Sequence, residues 1–400
     1  MSRSVSDPIV IASAVRTPMG GFQGALKALG ACELGAAAIR AAVERAGVAA
    51  ADIEEVIMGN VLPAGLGQAP ARQAALGAGL PESTGCTTIN KVCGSGMKAA
   101  MLAHDLIAFG THRIMVAGGM ESMTNAPYLL PRARAGLRLG HAEIKDHLFL
   151  DGLEDAYAPG RLMGTYAEET AREYGYTREA QDRFAITSLT RAQDAIRSGR
   201  FRGEIVPVTV GAALVDEDEQ PLKANLDRIP QLNPAFAKDG TVTAANSSSI
   251  SDGGAAMVLM TLSEAQRRGI TPLARIVAHA THSQAPSRFT TAPVGAIRKL
   301  FAKTGWDAQS TDLFEINEAF AVVTMAAMDD LALDPARVNV HGGACALGHP
   351  LGASGTRIMV TLLGALEARG LSRGIAALCI GGGEATAIAL ERYVRSRSDG

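Results

Sequence analysis

The feature that most constrains this chain is an order of elements that occurs twice. In the first part, apolar runs at Pro8–Ser13, Ile53–Gly59, Thr87–Val92 and Arg113–Gly118 read as strands, with helical stretches between them at Glu33–Ala46, Pro70–Ala78 and Ser95–Phe109. From Leu273 the series repeats. Strands are predicted at Leu273–Ala280, Asp312–Ile316, Arg337–Val340 and Ile375–Ile380, and helices near Pro293–Lys303, Glu318–Leu331 and Gly352–Ala368. A fifth strand closes each series, Ala255–Met260 in one and Ala385–Leu390 in the other. The punctuation agrees as well: the fourth strands run out in Gly118-Gly119-Met120-Glu121 and Gly381-Gly382-Gly383-Glu384. Short strands alternating with helices call for an α/β fold, with helices covering the sheet faces. A duplicated domain is the expectation.

Residues 127–249 separate the fourth and fifth strands of the first half. This insertion is more charged and more helical than its surroundings. Thr177 is placed as an N-cap, and Ala185, Leu189, Ala192 and Ile196 recur at helical spacing until Gly199. Pro207, Pro221, Pro230 and Pro234 then mark a loop-rich stretch. Insertions of this kind form a lid or platform for substrate, or a solvated ornament. The expected division is a first core domain of residues 1–126 plus 250–272, an inserted loop domain of 127–249, and a second core domain of 273–400.

A net charge of −2 over 400 residues gives no electrostatic case for nucleic acid or an anionic membrane. No apolar run reaches the ~18 residues of a membrane span, and the stretch after Met1–Pro8 is closed by Arg16, too short for a signal peptide. A cytoplasmic protein is expected. Five cysteines are an odd number, and none are spaced Cys-x-x-Cys, which argues against a disulfide framework and a zinc cluster. Free thiols fit better.

One of them, Cys93, lies in Lys91-Val92-Cys93-Gly94-Ser95-Gly96, where strand gives way to helix. A helix N-terminus favours thiolate over thiol, so a lowered pKa is expected. A small buried cysteine beside a turn is the plainer alternative. His349 stands in the densest glycine cluster, Gly342-Gly343-Ala344-Cys345-Ala346-Leu347-Gly348-His349-Pro350, and a near-neutral imidazole there suits taking and returning a proton. Cys379 ends an apolar strand before three glycines whose N–H groups can hold a thioester oxygen as it gains charge. Asn317 is a polar group at the carboxyl end of a buried-type strand, where α/β sites gather.

Four segments together resemble the thiolases: Asn90–Gly96, Asn317-Glu318-Ala319-Phe320, Gly343–Pro350 and Cys379-Ile380-Gly381-Gly382-Gly383. They span the chain in the family's order. The resemblance implies a thiolase-like fold: two duplicated βαβαβαββ domains in αβαβα layers, with an inserted loop domain. It implies a catalytic set in which Cys93 carries the acyl group as a thioester and His349 activates it. His349, with a water positioned by Asn317, would hold the second thioester's oxygen. Cys379 would exchange the α-proton, and the N–H groups of Cys93 and Gly381 would form the other oxyanion hole. Splitting a carbon–carbon step into acyl transfer and condensation explains why two thiols are wanted. By the same resemblance, Phe236, Ser248, Met163 and Phe320 would flank coenzyme A and its thioester arm. The implied substrates are acetyl-CoA, acetoacetyl-CoA and CoA, with no permanently bound cofactor, no metal, and a homotetramer as the assembly.

Some residues depart from the family pattern. His341 stands where Asn is frequent, Cys345 where an aliphatic residue is usual, and Leu162 where many short-chain members carry His. Glu384-Ala385 follows Gly383 in place of Met-Gly. These leave acyl preference open, while Phe289–Pro293 and Met163–Glu168 look most like acetoacetyl-CoA-forming members. The competing readings are a degradative thiolase of longer-chain 3-ketoacyl-CoA, a non-catalytic lipid-binding relative, and a cysteine hydrolase needing no second thiol.

Overall fold

The structure, a computed structural model, describes residues 7–393; Met1–Ser6 and residues 394–400, included in the N-terminal and domain expectations above, lie outside the described residues. The first half contributes β1 (Ile9–Arg16), β2 (Glu55–Gly59), β3 (Gly85–Ile89), β4 (Ile114–Ser122) and β5 (Ser251–Thr261). The second contributes β6 (Ala274–Ser283), β7 (Leu313–Ile316), β8 (Arg373–Ile380) and β9 (Glu384–Arg392). The longer helices are α1 (Ala31–Ala46), α2 (Pro70–Gly77), α3 (Ser95–Phe109), α4 (Met163–Tyr174), α5 (Arg178–Arg197), α6 (Ala292–Thr304), α7 (Ala321–Leu331) and α8 (Leu351–Arg369).

The first half pairs in the order β3-β2-β4-β5-β1 and the second in the order β7-β8-β9-β6. The parallel pairs are β2 with β3 and β4, and β7 with β8; the others are antiparallel. Each first strand carries a bulge at the equivalent place, between Ile11 and Ser13 in β1 and between Ile276 and Ala278 in β6. The two first strands also pair with each other, Val10 opposite Arg275 and Ile11 opposite Ala274. The duplication is therefore structural.

One repeat is incomplete. The strand expected at Arg337–Val340 is reduced to a single bridge, Val338 beside Phe314. Asn339, at φ 46°, turns the chain away, and its side chain takes over the pairing. Its Oδ1 accepts from Ile316 N at 2.8 Å and its Nδ2 donates to Ile316 O at 2.8 Å. A side-chain amide thus does what the next peptide of a strand would do.

Five layers result: α1 and α2, the first sheet, the helices α3 and α8, the second sheet, then α6 and α7. The middle core joins Met97, Ala100 and Ala103 of α3 and Ile358, Met359 and Leu362 of α8 to the inner faces of both sheets. Apart from Arg357 and the charged last turn, the sequence of α8 is apolar or small all round, as a helix buried on every side requires. The insertion is fastened to β1 by buried Arg16, which donates through Nε to Glu204 (2.7 Å) and through both terminal nitrogens to Asp218 (2.7 and 2.8 Å). Thr177 caps α5 by accepting from Ala180 N.

The middle helices touch backbone to backbone at their first turns. A Cβ on Gly96 of α3 would lie 2.9 Å from Gly352 O, and one on Gly355 of α8 would lie 2.3 Å from Met97 N. Neither position has room for a side chain, so the starts of α3 and α8 lie side by side. Gly355→Ala is expected to force the pair apart, lowering unfolding stability by about 1–3 kcal/mol in a denaturant titration and reducing specific activity of the folded fraction. An unchanged midpoint would contradict this packing.

Candidate active site

Because Cys93 precedes α3 by two residues and His349 precedes α8 by two, the contact of those helices brings the two side chains together. They open on a cavity of about 370 Å³ whose wall also includes Cys379, Gly381, Met163, Phe236, Ser248 and Phe320. Of the nine residues singled out from the sequence, these are eight. Asn317 lies one step behind the wall, its Nδ2 at 3.4 and 3.5 Å from the two ring nitrogens of His349.

Val92 is a β-branched residue at φ 45°, a costly backbone conformation just before the thiol. The predicted strand Thr87–Val92 stops at Ile89 for this reason. Ser95 holds the turn, accepting from Lys91 N at 2.8 Å and donating to Val92 O at 2.7 Å. Across the cavity, Cys379 and Gly381 come from the end of β8 and the turn into β9. Lys91 of the thiol turn forms an ion pair with Glu384, the first residue of β9. The Glu384 departure from the family pattern thus ties the two glycine turns together across the halves.

The insertion supplies the roof. Gly164, in the first turn of α4, admits the Phe236 ring where a Cβ would lie 2.4 Å from it. Phe236 meets Phe320 edge-on at 5.9 Å, and Phe320 meets Phe289 at 6.4 Å. Ser248 is held by its N–H to Ala319 O at 2.9 Å. Helix α7 starts at Ala321, not at Glu318 as predicted, because Asn317–Phe320 run as a loop whose Ala319 and Phe320 line this wall. Leu162 also lines the cavity, whereas Cys345 and His341 do not: Cys345 N donates to Glu318 and His341 packs edge-on against Phe201.

The electrostatics differ from the sequence expectation. Burial pushes the Cys93 thiol up to about 11, outweighing the N–H of Gly381 and its own N–H, both directed at the sulfur. Burial also raises Cys379 well above the ordinary thiol range, with nearby Cys93 adding to the rise. Burial, then Arg357, pushes His349 down to about 3. The lowered thiol pKa and near-neutral imidazole expected from the sequence are both overturned, because desolvation at the foot of an apolar cavity exceeds what a helix terminus returns. Burial thus favours the uncharged forms of both thiols and of the imidazole.

Three residues that sequence reasoning missed position that imidazole. Ser354 Oγ donates to Pro350 O at 2.9 Å, so it accepts from His349 Nδ1–H at 2.5 Å and leaves Nε2 unprotonated, with Asn317 Nδ2 at 3.5 Å from it. Arg357 donates to Asn317 Oδ1 at 3.2 Å and to Glu315 at 3.1 Å, fixing the amide so that its Nδ2 faces His349. The available signal was α8 itself: polar residues on a helix that is otherwise apolar all round must be buried and partnered.

Comparison with known proteins agrees with this geometry. The family described as "Thiolase, N-terminal domain" matches residues 9–263 and "Thiolase, C-terminal domain" matches residues 270–392. The chain belongs to the thiolase family. Among its relatives, "Acetyl-CoA acetyltransferase" of Schizosaccharomyces pombe is 49% identical over 97% of this chain and 100% of that protein. "Acetyl-CoA acetyltransferase" of Rhizobium meliloti is 50% identical over 97% and 100%. The crystal structure of Acat5 thiolase from Ascaris suum in complex with coenzyme A superposes with a TM-score of 0.92 at 45% identity, covering 96% of this chain and 100% of that one.

Two outcomes are expected. Since a raised thiol pKa means the unreactive protonated form dominates at pH 7, alkylation of Cys93 by iodoacetamide should climb steadily from pH 7 to pH 10. A plateau reached below pH 8 would contradict the neutral resting site. In a double-mutant cycle of Lys91→Met and Glu384→Met, kcat should show a coupling of about 1 kcal/mol. Strict additivity would mean the ion pair does not couple the turns.

Proposed function

We propose that the chain is an acetyl-CoA C-acetyltransferase, joining two acetyl-CoA molecules into acetoacetyl-CoA and CoA and running the reverse thiolysis. The observation that carries this is the meeting of Cys93, His349, Cys379 and Gly381, drawn from both halves, on one cavity with Asn317 behind it. The naming of relatives at 49–50% identity over nearly their whole length supports the same activity.

The resting protonation states suggest a balanced route. Cys93 attacks the first thioester as its S–H proton passes to His349 Nε2, since a free thiolate at this pKa would be scarce. The departing CoA sulfur takes the proton of Cys379, leaving a Cys379 thiolate whose new negative charge strengthens the hold of the nearby imidazole on its proton. That buried thiolate is a strong base, and it removes the α-proton of a second acetyl-CoA. The resulting carbanion attacks the acetyl group on Cys93. Cys93 leaves as thiolate and recovers its proton from His349, and Cys379 keeps the α-proton, so both thiols are restored. The N–H groups of Cys93 and Gly381 hold the oxygen of the acyl-Cys93 stage. His349 Nε2–H and a water held by Asn317 hold that of the incoming thioester.

Coenzyme A thioesters enter as substrates, with Phe236, Ser248, Met163 and Phe320 against the pantetheine arm and the thioester. The residues for this divide among a first core domain (1–126 plus 250–272), the inserted loop domain (127–249) and a second core domain (273–400). In support, the chain leaves the first sheet after Ser122 and rejoins it at Ser251. A homotetramer in the cytoplasm, serving lipid metabolism, completes the proposal. Among the described residues no helix is long and apolar enough to cross a membrane.

Mass spectrometry after brief exposure to acetyl-CoA is expected to find one acetyl group on Cys93, absent in Cys93→Ala. Cys379→Ala should acetylate Cys93 more slowly, having lost the proton donor to the departing CoA sulfur, and lose condensation by about 10²–10⁴-fold. Hydrolysis surviving Cys379→Ala unimpaired would favour a cysteine hydrolase. A strong preference for a long-chain 3-ketoacyl-CoA over acetoacetyl-CoA would favour a degradative thiolase.

A further inference from the structure

Away from the cavity, three atoms able to bind a metal converge where the halves meet. His104 and Asp105 lie in the later part of α3, and His279 lies midway along β6. His104 Nδ1 stands 3.0 Å and His279 Nε2 2.9 Å from the same oxygen, Asp105 Oδ1. The two rings are edge-on at 5.0 Å, and the three ligand atoms fall within 4.8 Å of one another. Both imidazoles are largely buried, at 21% and 17% exposure, while Asp105, at 56%, leaves one side of the cluster open to solvent.

We propose that His104, Asp105 and His279 form a binding site for a zinc-type transition-metal dication, with its fourth position open to water. In a tetrahedral site with bonds of ~2.0–2.2 Å, neighbouring ligand atoms stand roughly 3.3 Å apart. The two spacings to Asp105 Oδ1, 3.0 and 2.9 Å, reach that with outward shifts of a few tenths of an ångström. The metal would replace the two N–H···O bonds now made to Asp105, each ring carrying its proton on the other nitrogen. A single carboxylate does not meet the oxygen count of calcium, and Lys303, whose Nζ donates to His279 O at 2.7 Å, adds a nearby positive charge that a weakly held hard cation would not overcome. Two imidazoles select zinc, cobalt, nickel or copper instead. The cysteine spacing that argues against a zinc cluster does not bear on this site, whose ligands come from distant parts of the sequence. A bound ion would join α3 of the first half to β6 of the second, so its binding free energy would add to the cohesion of the two halves.

The test uses the full chain stripped with a chelator and then titrated with Co²⁺ or Zn²⁺. One equivalent of Co²⁺ should bind with the visible absorption of a tetrahedral nitrogen and oxygen site, and saturating Zn²⁺ should raise Tm by several degrees. His279→Gln and Asp105→Asn should each abolish both signals while keeping the metal-free Tm and acetyltransferase activity of the parent. His112→Gln, whose ring faces Glu54 and Glu55 and not this cluster, should change neither. Absence of binding, binding that persists in both site variants, or an intense sulfur-to-cobalt charge-transfer band showing capture by cysteine would each overturn the proposal.

Discussion

Gly96 and Gly355 allow the backbones of α3 and α8 to touch, and the rest of the molecule is arranged around that contact. It sets the separation of the two sheets, because the same helices fill the space between them. It also sets two helix N-termini side by side, which concentrates partial positive charge at one point. Part of that charge is met by buried Glu121 at the end of β4, whose Oε2 accepts from Gly352 N in the first turn of α8 at 2.8 Å. The remainder faces the cavity, where negative charge develops on sulfur and oxygen only during reaction. A field fixed before the reaction needs no reorganisation when that charge appears.

Burial governs the chemistry more than proximity does. Cys93, His349 and Cys379 are each shifted toward their uncharged forms, so no ion pair is stored in the resting site. The charged groups sit one layer further out, in the chain Glu315–Arg357–Asn317, and act by orienting what lies between them and the cavity. This division separates tasks. Outer charges give direction, and inner neutral groups give reactivity when a thioester arrives to share the proton.

Much of the fold was legible because strands of this type are apolar runs ended by glycine, and the second series repeated the first. Legibility failed where side chains replace backbone. Asn339 ends a strand by imitating its next peptide, and nothing in Arg337–Val340 announces that. Cys93, His349, Cys379 and Gly381 could be found because glycine clusters mark where backbone meets ligand, and their meeting on one wall followed from helix order. Their protonation could not be read, since desolvation depends on Met163, Phe236 and Phe320 arriving from elsewhere in the chain. Ser354 and Arg357 were hidden inside a helix whose periodicity gave only its burial.

The duplication carries a consequence for how the protein fails. Cys93 comes from one half and His349 and Cys379 from the other, so neither repeat contains a workable centre. A shift of one repeat against the other would separate these side chains without altering the elements inside either repeat. Alignment of the two repeats is thus a condition of activity separate from the folding of either one.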